Sequence, residues 1–374
     1  MKVLIDASII VKGGGLQVAL SLINNIALDK DFELICVVSP QLDSQIEEKI
    51  KNNISYYHVE KNEPIFNKFK QGKRLANIEN LYKPDFVFVI FGPAYWKPKA
   101  PSLQGFALGK MLYKKELSIG LLENIFNTIK KNLFKKSNSY LVVETDLVKN
   151  KLSDDFNYPL EKIFVIGNSY SPKFLECVNE KKDTLMKRKD IFSILVPGSY
   201  YLHKNLEMIL ISLAELKKTS SLSGIKVFFT IPKDSIDWQN FFNYAKKLKV
   251  DEYIETAGFV ANADFAKLYI KSDVILCASL VESSTAVFPE AFISERPLLV
   301  SDRPFASELC ENAALYFDPL DAINIAESIK KIKDDSLLRK QLILNGKSVL
   351  LKNYPSAEEK WQLQKKLILQ LNGK

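Results

Sequence analysis

Two carboxylates eight residues apart are the first feature of this chain that could do chemistry. Glu282-Ser-Ser-Thr-Ala-Val-Phe-Pro-Glu290 follows the apolar run VILCASL, which reads as a buried strand. Pro289 suits the first turn of a helix, which puts Glu282 in the loop and Glu290 at the helix start. Ser283, Ser284 and Thr285 bring N–H and O–H donors beside the positive end of that helix, a seat for phosphate. A carboxylate on each side of such a seat accepts hydrogen bonds from paired hydroxyls, those of a ribose diol or a sugar ring. A second element is PGSYYLHKN (197–205), where a strand gives way to a helix and Lys204 can meet a diphosphate. The third is Gly13-Gly14-Gly15, directly after the first apolar run. Glycines there admit close backbone approach to an anion, although a tight turn alone would also use them.

Other chemistries find little support. The chain has only two histidines, His58 and His203, with no HExxH and no His/Cys cluster, which argues against a catalytic zinc. No GxSxG elbow is present for a serine hydrolase. The glycine turn is not GxGxxG, and ICVVSPQ ends the second apolar run without an acidic residue, which disfavours NAD. The four cysteines (36, 177, 277, 310) form no CxxC pair, so a reduced, cytosolic setting is expected.

These residues need elements to position them, and 374 residues suffice for two domains. With 47% apolar and 26% charged residues, the composition is that of a globular protein. The net charge of +8 admits an anionic partner without specifying nucleic acid. No apolar run approaches the ~18–20 residues of a membrane span, and MKVLIDASII reads as a first strand and not as a signal peptide.

Apolar runs at 3–10, 33–39, 85–92, 140–144 and 162–167 alternate with segments of helical spacing, among them 16–28 and 45–51. The pattern restarts at 192–198, 226–232, 253–260, 273–281 and 296–302. The alternation predicts α/β architecture: two doubly wound, Rossmann-like domains facing across a cleft. The expected division is 1–170, a linker at 171–190, a second domain at 191–350, and 351–374 carrying a terminal helix over 357–372 that packs back on the first domain.

KVLIDAS with its glycine turn, HKN (203–205), AGFV (257–260), LYIKSDVILCAS (268–279), the Glu282/Glu290 pair followed by EAF, and SDRPFASELCENAALYFDP (301–319) occur together in order. In that combination the sequence resembles the family-four retaining glycosyltransferases of the GT-B fold, most closely over 191–330. The resemblance implies a metal-independent enzyme that moves a hexose from a nucleotide-sugar, UDP- or GDP-linked, to a saccharide or lipid-linked acceptor in bacterial surface-polysaccharide assembly. No cofactor is implied. Glu290 would hold the nucleotide ribose, Glu282 the donor-sugar hydroxyls, and Ser283, Ser284, Thr285 and Ala286 the sugar and phosphate. Lys204 would neutralise the diphosphate, Gly258, Phe259 and Val260 would border the base, and Gly14 and Gly15 would approach from the first domain. The sequence departs from the family where an Arg usually precedes the Lys: Gly198 and Ser199 stand there, and Arg303 is a candidate substitute. The 92–113 region also lacks the family's first-domain His. These departures give the alternative reading, a nucleotide-sugar-binding subunit that supports another transferase.

Residues 97–136 carry nine lysines against two acids. Within them, LSIGLLENIFNTIKKNLFKK (117–136) mixes apolar and basic residues at helical spacing. Two readings stand for it: a helix lying on an anionic membrane surface at the inner face of the cytoplasmic membrane, or an ordinary amphipathic helix packed on the first sheet.

Overall fold

The computed structural model describes the chain apart from residues 12, 62, 65, 66, 114–119, 182–190, 220, 261 and 374. Two compact units divide it: Met1–Ser169 with Ser356–Lys374, and Tyr170–Pro355.

The first unit is built on seven parallel strands: β1 (Lys2–Ala7), β2 (Glu33–Val38), β3 (Tyr56–Val59), β4 (Phe86–Val89), β5 (Ser102–Gly105), β6 (Tyr140–Val143) and β7 (Ile163–Val165). Their order is β3-β2-β1-β4-β5-β6-β7. Six strands form the sheet of the second unit: β8 (Phe192–Val196), β9 (Ile225–Phe229), β10 (Ile254–Thr256), β11 (Val274–Cys277), β12 (Leu298–Ser301) and β13 (Ala314–Phe317), in the order β10-β9-β8-β11-β12-β13. Every pairing in both sheets is parallel. Helices cover both faces, so the central strands are apolar on both sides: Leu4, Ile5, Ile275 and Leu276 are all fully buried. In each sheet the order reverses beside the unit's first strand, between β1 and β4 and between β8 and β11. At such switch points doubly wound sheets open a crevice at their carboxyl edge.

Three strands, β3, β5 and β13, were not expected. Tyr-Tyr-His-Val and Ser-Leu-Gln-Gly lack a continuous apolar run, and their pairing with neighbours in the sheet outweighs their weak local pattern. The 253–260 run yields strand only at Ile254–Thr256, because Gly258 turns the backbone to φ 72°. The stretch expected to link the domains, 171–190, is helical over Pro172–Lys181. Phe174 and Val178, one turn apart, bury there, and Phe174 meets Tyr269 edge-on at 5.3 Å within the second unit. Residues 182–190 lie outside the described residues.

The closing helix, Ala357–Asn372, belongs to the first unit. Ser356 and Glu359 close a capping box at its start. Trp361, Ile368 and Leu371 enter the first unit's core, and Lys365 is paired with Asp29 at 2.8 Å.

Candidate functional site

The loops leaving β8 and β11 meet at the carboxyl edge of the second sheet, and each has a local reason for its course. After β8, Gly198 adopts φ 130°, donates its N–H to Thr230 Oγ1 at 2.8 Å and accepts back from that hydroxyl at 3.0 Å. A single turn, Leu202–Lys204, follows and ends at Asn205 in the left-handed region (φ 55°), whose side chain donates to the Pro319 carbonyl at 2.7 Å. The loop after β11 is stitched to this turn by the Leu280 N–H, which donates to the His203 carbonyl at 2.8 Å.

That stitch sets Lys204 against Glu282. The ammonium donates to Glu282 Oε1 at 2.6 Å, and the Ser279 hydroxyl donates to the same oxygen at 2.8 Å. Only 15% of the Lys204 side chain and 11% of the Glu282 side chain are exposed. Burial alone would lower the Lys204 pKa, but the adjoining carboxylate outweighs it and holds the ammonium above its ordinary value. The pair therefore presents a fixed cation, and a carboxylate with one oxygen engaged by the protein and the other available to a ligand.

Glu290 repeats the arrangement. Helix Val287–Ile293 begins two residues before Pro289, which still lies in the first turn, where its missing N–H has no partner to lose. The hydroxyl of fully buried Tyr269 donates to Glu290 Oε2 at 2.8 Å. Burial raises the Glu290 carboxyl to about 7, against the lowering effect of the Tyr269 bond. Between the two carboxylates, Thr285 Oγ1 accepts from the Val287 N–H at 3.3 Å, and the buried Ser284 Oγ has no hydrogen-bond partner. An orphaned buried hydroxyl beside open helix N–H groups is suited to an anionic oxygen.

Gly258 follows β10 and donates to Thr256 Oγ1 at 3.0 Å, with open space where a side chain would stand; Phe259 is 85% exposed and Val260 half-buried. No hydrogen bond among the described residues joins these three to Lys204 or Glu282. Gly14 and Gly15 open helix Gly14–Leu28 of the first unit, after Gly13 at φ 71°. A side chain at Gly15 would sit 3.4 Å from Ile10 and 3.5 Å from Phe91, whereas Gly14 faces open space. Arg303 donates to the Asp302 carbonyl and lies 4.0 Å from Asp318, and no hydrogen bond or ion pair among the described residues joins it to Lys204.

Tyr269 and Ser279 were missed as site residues. Both lie within LYIKSDVILCAS, and Ser279 stands three residues before Glu282, the spacing of a local side-chain bond. All four cysteines are free thiols. No helix among the described residues is long and apolar enough to cross a membrane.

Residues 178–349 match the family described as glycosyl transferases group 1. The O-antigen chain mannosyltransferase RfbU of Salmonella typhimurium is 28% identical over 193 residues, covering 50% of this chain and 48% of its own. The match thus spans about half the length of that curated relative. Among solved structures, sucrose-phosphate synthase of Thermosynechococcus elongatus superposes with a TM-score of 0.78 at 14% identity, covering 100% of this chain and 99% of its own. Anabaena HepE in complex with UDP-glucose gives 0.74 at 13%, covering 99% and 100%. WaaG, a glycosyltransferase involved in lipopolysaccharide biosynthesis, gives 0.72 at 14%, covering 98% and 99%. Likeness at such identities speaks for the fold. The stretch 178–349 is thus similar to the glycosyl transferases group 1 family, and the two parallel sheets with flanking helices are those of the GT-B fold.

Proposed function

We propose that this chain is a retaining, metal-independent glycosyltransferase that moves a hexose from a UDP- or GDP-linked donor to a saccharide or lipid-linked saccharide acceptor in bacterial surface-polysaccharide assembly. The observation that carries this reading is the Lys204–Glu282–Ser279 cluster, a buried cation and a half-engaged carboxylate at the switch point of a doubly wound sheet. Support for the setting comes from the curated relative, named an O-antigen mannosyltransferase, and from HepE, solved with UDP-glucose.

In this reading the bond between the anomeric carbon and the diphosphate breaks as negative charge grows on the leaving oxygen. Lys204, the Ser284 hydroxyl and the N–H groups of 283–286 stabilise that charge, which is the main catalytic contribution of the protein. The free oxygen of Glu282 accepts from donor-sugar hydroxyls, and that of Glu290 from the ribose. The acceptor hydroxyl attacks from the face the diphosphate leaves and gives its proton to a departing phosphate oxygen, so the anomeric configuration is retained. Gly258, Phe259 and Val260 border the base. We place the chain on the cytoplasmic side, peripheral to the membrane. No cofactor enters the scheme.

One observation favours the alternative, a nucleotide-sugar-binding subunit. Gly198 occupies a conformation, φ 130°, that side chains rarely adopt, so the second cation usual in the family has no place there. Incubation with UDP- and GDP-hexoses and a saccharide acceptor separates the two. Transfer with retained configuration supports the enzyme; donor binding without transfer or hydrolysis supports the subunit.

A further inference from the structure

We propose that helix Ser336–Asn353, in the second unit, is the seam of a parallel two-fold dimer, its partner being the same helix of a second copy of this chain. The helix is apolar on two opposite faces. On the inner face Leu342 and Val349 are buried, and a side chain at Gly346 would meet the Phe292 ring at 2.8 Å. On the outer face stand Leu337, Leu344 and Leu351, which are 75%, 59% and 88% exposed. A residue seven positions on returns after nearly two full turns, so the three leucines lie within about 40° of one line along ~21 Å of helix. A helix with apolar residues on one side has one neighbour to pack on; with apolar residues on both it calls for a second. A column that repeats every seven residues stays in contact with another helix as the two supercoil.

The polar residues beside the column decide the partner and its direction. At 100° per residue, exposed Lys340 and Lys347 fall on one flank of the leucines, and exposed Gln341 and Ser348 on the other. In a parallel two-fold pair each flank meets the opposite flank of the second copy. Lys340 then faces Gln341 of the second copy, Lys347 faces its Ser348, and each leucine meets its own counterpart. In an antiparallel pair like flanks meet, and lysines would face lysines. The helix carries four cations and no acid, yet three of them are engaged within the chain. Lys347 pairs with Glu295 at 3.2 Å and Lys352 with Glu311 at 2.7 Å, while the Arg339 guanidinium donates to the Ile332 and Lys333 carbonyls at 2.6 and 2.5 Å. Little charge is left over to attract an acidic partner, and the same helix of a second copy supplies both the seven-residue period and the neutral flank. The contact is short beside standard interfaces, so a reversible dimer is expected, forming at about 10–100 μM. The inference stands on this helix and needs neither the donor site nor transfer.

The test is sedimentation velocity of the full chain, without nucleotide, over a series of concentrations through the micromolar range. Wild type is expected to pass from monomer to dimer as concentration rises. Leu344→Asp and, separately, Leu337→Asp/Leu351→Asp should each weaken association by about tenfold or more, with melting temperatures in dilute solution unchanged because all three positions are exposed. Should one variant prove less stable, the other carries the test. Gln341→Glu/Ser348→Glu sets an acid opposite each lysine across the parallel seam and should tighten the dimer by about tenfold; across an antiparallel seam the new acids would meet one another and loosen it. A wild type that stays monomeric throughout, a dimer left intact by the well-folded leucine variants, or an acid variant that associates no more tightly than wild type would overturn the proposal. The experiment reads mass and not activity, so a chain that dimerises but binds no nucleoside diphosphate would contradict the proposed function and leave this inference intact.

Discussion

Lys204 Nζ lies 2.6 Å from Glu282 Oε1, and both side chains are largely withdrawn from water although 78 residues separate them in the chain. Neither group is comfortable there alone. A buried ammonium without its carboxylate loses about 3–5 kcal/mol of folding free energy, far more than an exposed pair contributes. Glu282→Ala is thus expected to lower the melting temperature as well as activity. Glu282→Gln, which keeps an acceptor oxygen for Lys204, should retain more of the fold while reducing transfer by ~10²–10³-fold. Melting curves and initial rates on the two variants check this; an Ala variant as stable as wild type would mean the pair is not buried as described.

Acid should act on Glu290 in two opposite directions. Its carboxyl titrates near 7 in the folded chain against 4.5 as the ordinary value. Between these values the folded state binds more protons than the unfolded one, so this group favours folding as pH falls from about 7 towards 4.5. Ribose hydroxyls, however, need the carboxylate as acceptor. Nucleotide affinity is expected to fall over the same interval in which the ligand-free protein gains stability from this group, and Glu290→Gln should flatten both trends. Binding titrations and melts at a series of pH values show whether the two curves cross.

Tyr269 positions Glu290 and does not itself touch ligand in this scheme. Its hydroxyl lowers the Glu290 pKa, so Tyr269→Phe should move the acid limb of nucleotide binding to higher pH, with affinity approaching wild type in alkali. The buried bond itself contributes about 1 kcal/mol or somewhat more. A uniform loss of affinity at every pH would instead indicate a packing role alone.

The closing helix should hold the first unit together. Trp361 is 3% exposed, sits edge-on to Phe32 at 5.6 Å and donates to Asp29 at 3.2 Å. Trp361→Ala is expected to destabilise that unit by about 3–5 kcal/mol, measured by urea denaturation, while the second unit's nucleotide binding persists. A variant as stable as wild type would contradict this packing.

Much of this was legible in the sequence because parallel strands buried on both faces leave continuous apolar runs. VILC and LLVS announce themselves, whereas Tyr56–Val59 and Ser102–Gly105 become strands only through their neighbours. The closing helix was readable over 357–372, whereas the capping box of Ser356 and Glu359 is seen only in the structure. At the site, Glu282, Glu290 and Lys204 stand out by type and by position after core strands. Their partners do not: a tyrosine in LYIKSD looks like any core aromatic, and only the fold brings its hydroxyl to Glu290. The 121–137 helix shows the limit most clearly. Its periodicity gives an amphipathic helix, but only the packing of Phe134 tells which face is left to water.

The central claim is that Lys204 and Glu282 form a nucleoside-diphosphate site, and calorimetric titration of UDP and GDP into wild type and Lys204→Ala tests it most directly. Saturable binding of one of the two nucleotides by wild type is expected, weakened about tenfold or more in the variant, the effect of losing one charge-assisted contact to the diphosphate. Binding of neither nucleotide by well-folded wild type, or equal affinity in both proteins, would contradict it.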